Sequence, residues 1–320
     1  MNFLVTGGAG FIGSHLCERL VREGHRVCCL DSFNEYYSPA LKWDNISALQ
    51  GKKNFAVVVG DILDSDLVSD LFRRGCAEVV VHLAARAGPR PSIESPFLYE
   101  EVNVNGTLVL LEAARRYGAQ CFVFASSSSV YGRNEKRPFA ESDALTYPVS
   151  PYAATKIAGE ALCRTYAHLY GIPTTVLRFF TVYGPRQRPD MAIHKFAKRM
   201  VEGKEIEIYG DGTSVRDYTY IDDVIDAICA VVERKFSFEI FNLGCSRPVV
   251  LNDVVAALER HLGVTARVVH VEEQPGDVPA THSDITKSQR MFGYSPRVDL
   301  ETGLARFAQW FKEKHSAGLV

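Results

Sequence analysis

Residues 1–180 read as a doubly wound parallel α/β sheet, and residues 181–320 read mainly as a smaller α+β lobe. Two observations predict this. Short apolar runs recur in the first part: Phe3–Val5, Val27–Leu30, Phe55–Val59, Val79–Leu83, Cys121–Ala125 and Thr174–Phe180. They are continuous rather than alternating, the pattern of strands covered on both faces of a parallel sheet. Between them lie amphipathic stretches. In the first, Ile12, Leu16 and Leu20 recur every four residues, and Gly24 stands at a C-cap position. Strand–helix alternation of this kind closes with right-handed crossovers.

The texture changes after residue 180. Tyr183-Gly184-Pro185-Arg186-Gln187-Arg188-Pro189 is loop-like, and Tyr209-Gly210-Asp211-Gly212 is a turn. Short strands (Ile206–Tyr209, Glu239–Leu243, Ala266–Val271) now mix with helices at Ile221–Glu233 and Leu251–Leu262. A segment near 214–245 is expected to return to the first domain.

With 36 Lys+Arg against 38 Asp+Glu, the net charge of −2 gives no electrostatic footprint for nucleic acid or an anionic membrane. There is no apolar run long enough to span a bilayer and no charged n-region ahead of an apolar stretch, so a cytoplasmic protein is expected. The eight cysteines are scattered, without CxxC or metal spacing. They read as buried thiols, and no metal site is expected. Cys28 and Cys29 are adjacent in a strand and should point to opposite faces.

Gly7-Gly8-Ala9-Gly10-Phe11-Ile12-Gly13 is a GxxGxxG loop between a strand and a helix. Such a turn lets backbone N–H groups approach a pyrophosphate at the positive end of the helix. Asp31, 18 residues after Gly13, ends the second strand. A carboxylate there accepts bonds from a ribose 2′-OH and repels a 2′-phosphate, which favours NAD over NADP. The sheet is therefore expected to be of the Rossmann type. Asn34 belongs to the same edge, and Asp61-Ile62 and Leu83-Ala84-Ala85 close the third and fourth strands, where small residues let the backbone come near a dinucleotide.

Tyr152-Ala153-Ala154-Thr155-Lys156 is a YxxxK at helical spacing, which stacks both side chains on one face. An ammonium beside the phenol, together with a cationic nicotinamide, lowers the tyrosine pKa towards neutrality. Upstream, Ser126-Ser127-Ser128-Ser129-Val130-Tyr131-Gly132 stands at a strand end, where sheets of this kind expose their working groups.

GxxGxxG, Gly60-Asp61-Ile62, His82-Leu83-Ala84-Ala85, Asn103-Val104-Asn105-Gly106-Thr107, SSSSVYG, YxxxK and Arg216-Asp217-Tyr218 occur in order along nearly the whole chain. Together they resemble the extended short-chain dehydrogenase/reductases, and among these the nucleotide-sugar epimerases and dehydratases. The resemblance implies that Ser127 is the hydroxyl partner of Tyr152, the base, with Lys156 as its pKa modulator and ribose anchor. Asn103 and Phe180 would border the cofactor, and Arg216 would meet the nucleotide diphosphate.

Related 4,6-dehydratases carry Asp-Glu immediately before Val-Tyr-Gly, and related UDP-glucuronate decarboxylases carry Glu at the second position. Here Ser128 and Ser129 stand there, so elimination lacks its acid and epimerisation of a UDP-sugar through a 4-keto intermediate remains. The stretch Leu177–Met191 is most similar to UDP-glucuronate 4-epimerases, in a place where UDP-glucose 4-epimerases usually have Asn at the position of Thr181. Thr181, Ser128 and Ser129 can hydrogen-bond a C5 carboxylate; they can equally make room for a turning hexose. Conversion of UDP-glucuronate to UDP-galacturonate is therefore expected. UDP-glucose/UDP-galactose epimerisation, decarboxylation and a non-catalytic NAD-binding regulator stay open, in that order. Arg90 and Arg188 are candidates for phosphate or carboxylate contacts. The resemblance also implies a homodimer, each subunit giving the helices near 99–117 and 152–170 to a four-helix interface.

Overall fold

In the computed structural model, which describes residues 1–272, 278 and 280–320, the first part of the chain alternates strand and helix. It runs β1 (Asn2–Thr6), α1 (Phe11–Arg22), β2 (Arg26–Asp31), α2 (Pro39–Asn45), β3 (Phe55–Val59), α3 (Ser65–Arg73) and β4 (Val79–His82). After α4 (Pro89–Glu94) and α5 (Pro96–Glu100), a π-helical turn, Glu101–Asn105, leads into α6 (Gly106–Tyr117). Then come β5 (Cys121–Ser127), α7 (Pro151–Tyr170) and β6 (Thr174–Phe179). The remainder comprises β7 (Thr181–Tyr183), α8 (Ala192–Val201), β8 (Glu205–Tyr209), β9 (Val215–Tyr220), α9 (Ile221–Arg234), β10 (Phe238–Leu243), β11 (Pro248–Val250), α10 (Leu251–Leu262), β12 (Arg267–Val271), α11 (Thr286–Phe292) and α12 (Leu300–Ser316).

Seven strands pair in the order β10-β6-β5-β4-β1-β2-β3, all parallel. The continuous apolar runs are explained by their surroundings, since β4 and β6 are buried along their whole length and only the edge strand β3 is largely open. Alternate residues feed two layers. Cys29 packs with Phe3, Val5 and Val81 on one face, and Cys28 with Leu4, Leu30 and Val80 on the other. Two small sheets, β11-β9-β7 and β12-β8, lie in the second part. Although β7, β8 and β9 intervene in sequence, β10 crosses back and pairs with β6 from Phe238↔Thr174 to Leu243↔Phe179.

Local chemistry sets the helix that matters most. Ser150 Oγ accepts the N–H of Ala153 at 3.2 Å, Pro151 occupies the first helical position, and Gly171 ends α7 in the left-handed region.

Candidate active site

The chain leaves β1 through Gly7 (φ +67°) and enters α1 at Phe11. Here α1 differs from α3 and α12, which Asp64 and Asp299 cap with their carboxylates. At α1 the cap is Gly10, with no side-chain bond and no acidic residue in the first turn. Its N-terminal N–H groups and dipole therefore face the cavity unscreened by any side chain. A Cβ on Gly13 would lie 2.2 Å from Gly7 O and 2.7 Å from Gly8 Cα. Loop and helix touch there, and only glycine fits.

Asp31 closes the edge of this cradle. Its Oδ2 accepts from the Ala9 N–H at 3.1 Å and its Oδ1 from the Phe33 N–H at 2.9 Å, while Lys42 Nζ stands 3.8 Å away. Burial lowers the Lys42 pKa and Asp31 opposes the shift. Lys42 also donates to Asn34 O at 2.9 Å. No sequence motif marked Lys42, because its partners lie in a loop that only the fold folds back upon it.

One cavity gathers most of the sequence-predicted residues: Gly7, Gly10, Phe11, Ile12, Gly13, Asp31, Asn34, Asp61, Ile62, Leu83, Ala84, Ala85, Tyr152, Lys156 and Arg188. It adds Tyr36, Tyr37, Lys42, Arg86 and Phe179. The geometry puts Phe179 in that wall, while Phe180 packs into a separate cluster with Tyr131 and Phe139. Successive residues at a strand end point to opposite sides, which separates the two rings. Asn103 lies behind the wall. Its Oδ1 accepts from Arg86 N at 2.8 Å, and its Nδ2 donates to Arg86 O at 2.9 Å and to Thr155 Oγ1 at 3.0 Å. The amide thus ties the loop after β4 to the helix that carries Tyr152.

Tyr152 and Lys156 are both buried. Lys156 Nζ donates to Ala125 O at 2.8 Å and lies 5.9 Å from the centroid of the Tyr152 ring. Burial pushes its pKa down to about 8, with Cys163 and Glu160 pulling upward. For Tyr152, burial raises the phenol above its ordinary value, and the hydrogen bond with Ser127 and the charge of Arg188 counter it. The protein alone therefore does not produce the lowered phenol pKa that the YxxxK spacing suggests. A lowered value would need a further positive charge beside the ring, which a nicotinamide cation would supply. Ser127 Oγ also receives the N–H of Ser129 at 3.1 Å and lies 3.1 Å from Ser129 Oγ.

Beneath α7, Glu160 accepts from Arg178 Nε (2.9 Å) and Nη2 (2.7 Å) and from Ser126 Oγ (2.5 Å), all buried. The ion pair pins α7 to β5 and β6.

The other substrate-side candidates lie outside that lining. Ser128 and Ser129 are half-buried in the turn after β5, and Thr181 pairs with Tyr218 across β7 and β9. The Arg90 guanidinium stacks on the Tyr209 ring at 4.0 Å, bridging α4 and β8. Arg216 Nη1 donates to Val215 O at 2.9 Å. Arg188, which does line the cavity, is held by Asp190 through Nε (2.9 Å) and Nη2 (2.7 Å). Next to this group, Lys195 pairs loosely with Glu207 at 3.4 Å, and His194 Nδ1 lies 2.6 Å from Gln187 O.

The glycine cradle, the buried acid at the end of β2 and the small residues after β4 fit a dinucleotide without a 2′-phosphate. Among the described residues no group of three or more His, Cys, Asp or Glu could hold a metal ion. Residues 3–244 match the model of the NAD dependent epimerase/dehydratase family. A UDP-glucuronate 4-epimerase from Thermodesulfobacterium geofontis is 41% identical over 312 residues, covering 97% of this chain and 96% of the relative. The structure of UDP-glucuronic acid 4-epimerase from Bacillus cereus, in complex with UDP-glucuronic acid and NAD, superposes with a TM-score of 0.92 at 40% identity, covering 98% of this chain and 99% of that one. The Thermotoga maritima UDP-glucose 4-epimerase with UDP-glucose superposes with a TM-score of 0.91 at 35% identity, covering 98% and 100%. Cradle, catalytic helix and full-length similarity agree: the chain belongs to the NAD dependent epimerase/dehydratase family.

Proposed function

We propose that the protein is an NAD-dependent nucleotide-sugar 4-epimerase that interconverts UDP-glucuronate and UDP-galacturonate. The observation that carries this reading is where carboxylates stand in the cavity. Among the described residues of its lining they are Asp31 and Asp61, at the ends of β2 and β3. Tyr152 sits by β5, three and four strands away. At about 4.8 Å per strand that is roughly 14 and 19 Å, too far to serve as acids at the sugar. The groups beside Tyr152 are hydroxyls, so water is not eliminated.

Tyr152 takes the proton of the sugar 4-OH and returns it after the 4-keto sugar has turned over. Ser127 holds the phenol through their hydrogen bond. Lys156, fixed by Ala125 O, places its ammonium on the same helix face. NAD, when bound, supplies reversible oxidation at C4 and is regenerated each cycle. Gly7, Gly10, Phe11, Ile12 and Gly13 would hold its pyrophosphate, and Asp31, Asn34 and Lys42 its ribose edge. Asp61, Ile62, Leu83, Ala84 and Ala85 would line it, with Asn103 acting through Arg86. Ser128, Ser129 and Thr181 would bond the C5 carboxylate. A 4-keto uronate is a β-keto acid, and holding the carboxylate out of line with the carbonyl π system suppresses loss of CO₂. Arg90, Arg188 and Arg216 are assigned to the acidic groups of the substrate.

Residues 181–320, apart from the segment near 214–245, are assigned as the nucleotide-sugar lobe. The protein is placed in the cytoplasm, in keeping with its eight free thiols. No helix among the described residues is long and apolar enough to cross a membrane. A homodimer through the helices near 99–117 and 152–170 is supported by the exposed Phe97, Tyr117, Leu169 and Tyr170.

The deciding experiment is proton NMR of the purified protein with UDP-glucuronate and no added NAD. The reading requires UDP-galacturonate without UDP-pentose. UDP-pentose as the main product would replace epimerisation by decarboxylation. An inert mixture that nevertheless converts UDP-glucose would move the assignment to the neutral sugar.

A further inference from the structure

The loop that carries Arg188 to the cavity contains one disfavoured backbone step. Arg186 adopts φ +64°, the left-handed region that a residue with a side chain disfavours. Bonds within the segment, from Gln187 N–H to Gly184 O at 3.2 Å and from Gln187 Nε2 to Val182 O at 3.1 Å, are joined by two imidazoles from outside it. His15 Nε2 lies 2.9 Å from Pro185 O, and His194 Nδ1 lies 2.6 Å from Gln187 O. A carbonyl only accepts, so each facing ring nitrogen carries the proton.

The two clips come from different helices. His194 belongs to α8, with its ring edge-on to Phe307, Trp310 and Phe311. His15 belongs to α1, two residues after Gly13, and one turn further Glu18 takes Arg186 Nη2 at 2.7 Å. Burial, helped by the nearby charge of Arg186, lowers the His15 pKa to about 4, against the hydrogen bond to Pro185 O and the charge of Glu18. The ring is therefore neutral at pH 7 and serves as a fixed donor.

We infer that His15 is a positioning residue for substrate binding: through Pro185 O it sets the loop that presents Arg188. One helix thus cradles the dinucleotide with its N-terminus and aims the substrate-side cation with a residue one turn later. This rests on the reading of Arg188 as a substrate contact.

The test compares His15→Leu, His15→Gln, Arg188→Met and the double variant His15→Leu/Arg188→Met. For each, kcat and KM for UDP-glucuronate are measured along with the NAD content of the purified protein. Loss of one directed hydrogen bond should raise KM about tenfold in His15→Leu with kcat and NAD content held. His15→Gln, which keeps a side-chain N–H donor, should recover most of that. The double variant should bind no worse than Arg188→Met, because the two changes remove one interaction. An unchanged KM in His15→Leu beside a raised KM in Arg188→Met overturns the coupling. Additive effects in the double variant, or loss of NAD in both His15 variants, also overturn it. An unchanged KM in Arg188→Met overturns the reading of Arg188 itself, and the inference with it.

Discussion

Lys156 is kept in place at the expense of stability, and the amount can be worked out. Its side chain is buried, its one hydrogen bond goes to Ala125 O, and the neighbouring carboxylate of Glu160 is already committed to Arg178. The fall of its pKa from 10.5 to about 8 corresponds to about 3 kcal/mol, at about 1.4 kcal/mol per tenfold change in proton affinity. Lys156→Met removes that penalty and loses a hydrogen bond worth about 1 kcal/mol. The variant should therefore be inactive yet more stable by about 2 kcal/mol at pH 7. The sign of the pH dependence follows from proton counts. Between the folded value near 8 and the unfolded value of 10.5, the unfolded wild type holds more protons, so its stability rises with pH across that window. The advantage of the variant is complete below pH 8 and is gone above about pH 10.5. Urea unfolding of both proteins, freed of dinucleotide, at pH 7 and pH 10.5 measures the difference. A less stable variant at pH 7, or an advantage that does not change with pH, would show that the buried ammonium carries no such penalty.

Tyr152→Phe should retain bound NAD while turnover falls by about 10²–10⁴-fold, which NAD release and the NMR assay report together. Gly13→Ala drives a Cβ to 2.2 Å from Gly7 O; the purified protein should come without NAD and melt at lower temperature. Arg178→Met leaves Glu160 buried without its partner and should cost about 3–5 kcal/mol, whereas the double change with Glu160→Met should recover much of the loss. Thr181→Asn should raise KM for UDP-glucuronate by about tenfold, the loss of one hydroxyl contact, as steady-state kinetics will show.

What could be read directly from the chain was local. The glycine loop, the YxxxK turn and the apolar runs each lie within about ten residues, and their periodicity has a single physical meaning. What could not be read joins residues far apart. His15 meets Pro185 170 positions away, and Asn103 meets Thr155 52 positions away. No periodicity encodes such pairs. The phenol of Tyr152 shows a second limit, because spacing names the neighbouring ammonium but not the burial that raises the phenol pKa. Phe179 and Phe180 show a third. Two adjacent rings differ only in which side of the sheet end they face, and their packing in the folded chain decides that.

The crossing back of β10 has a bearing on how the molecule is made. During synthesis β6 emerges well before its partner, and about sixty residues of other structure must follow before Phe238–Leu243 can pair with it. Until then its backbone N–H and C=O groups form an open sheet edge, the surface on which chains add to one another. The sheet built from β1 to β6 is therefore not a unit that finishes folding on the ribosome ahead of the rest of the chain. A fragment ending near residue 180 should be caught by chaperones or aggregate, and the nascent chain becomes safe only once Leu243 has left the exit tunnel.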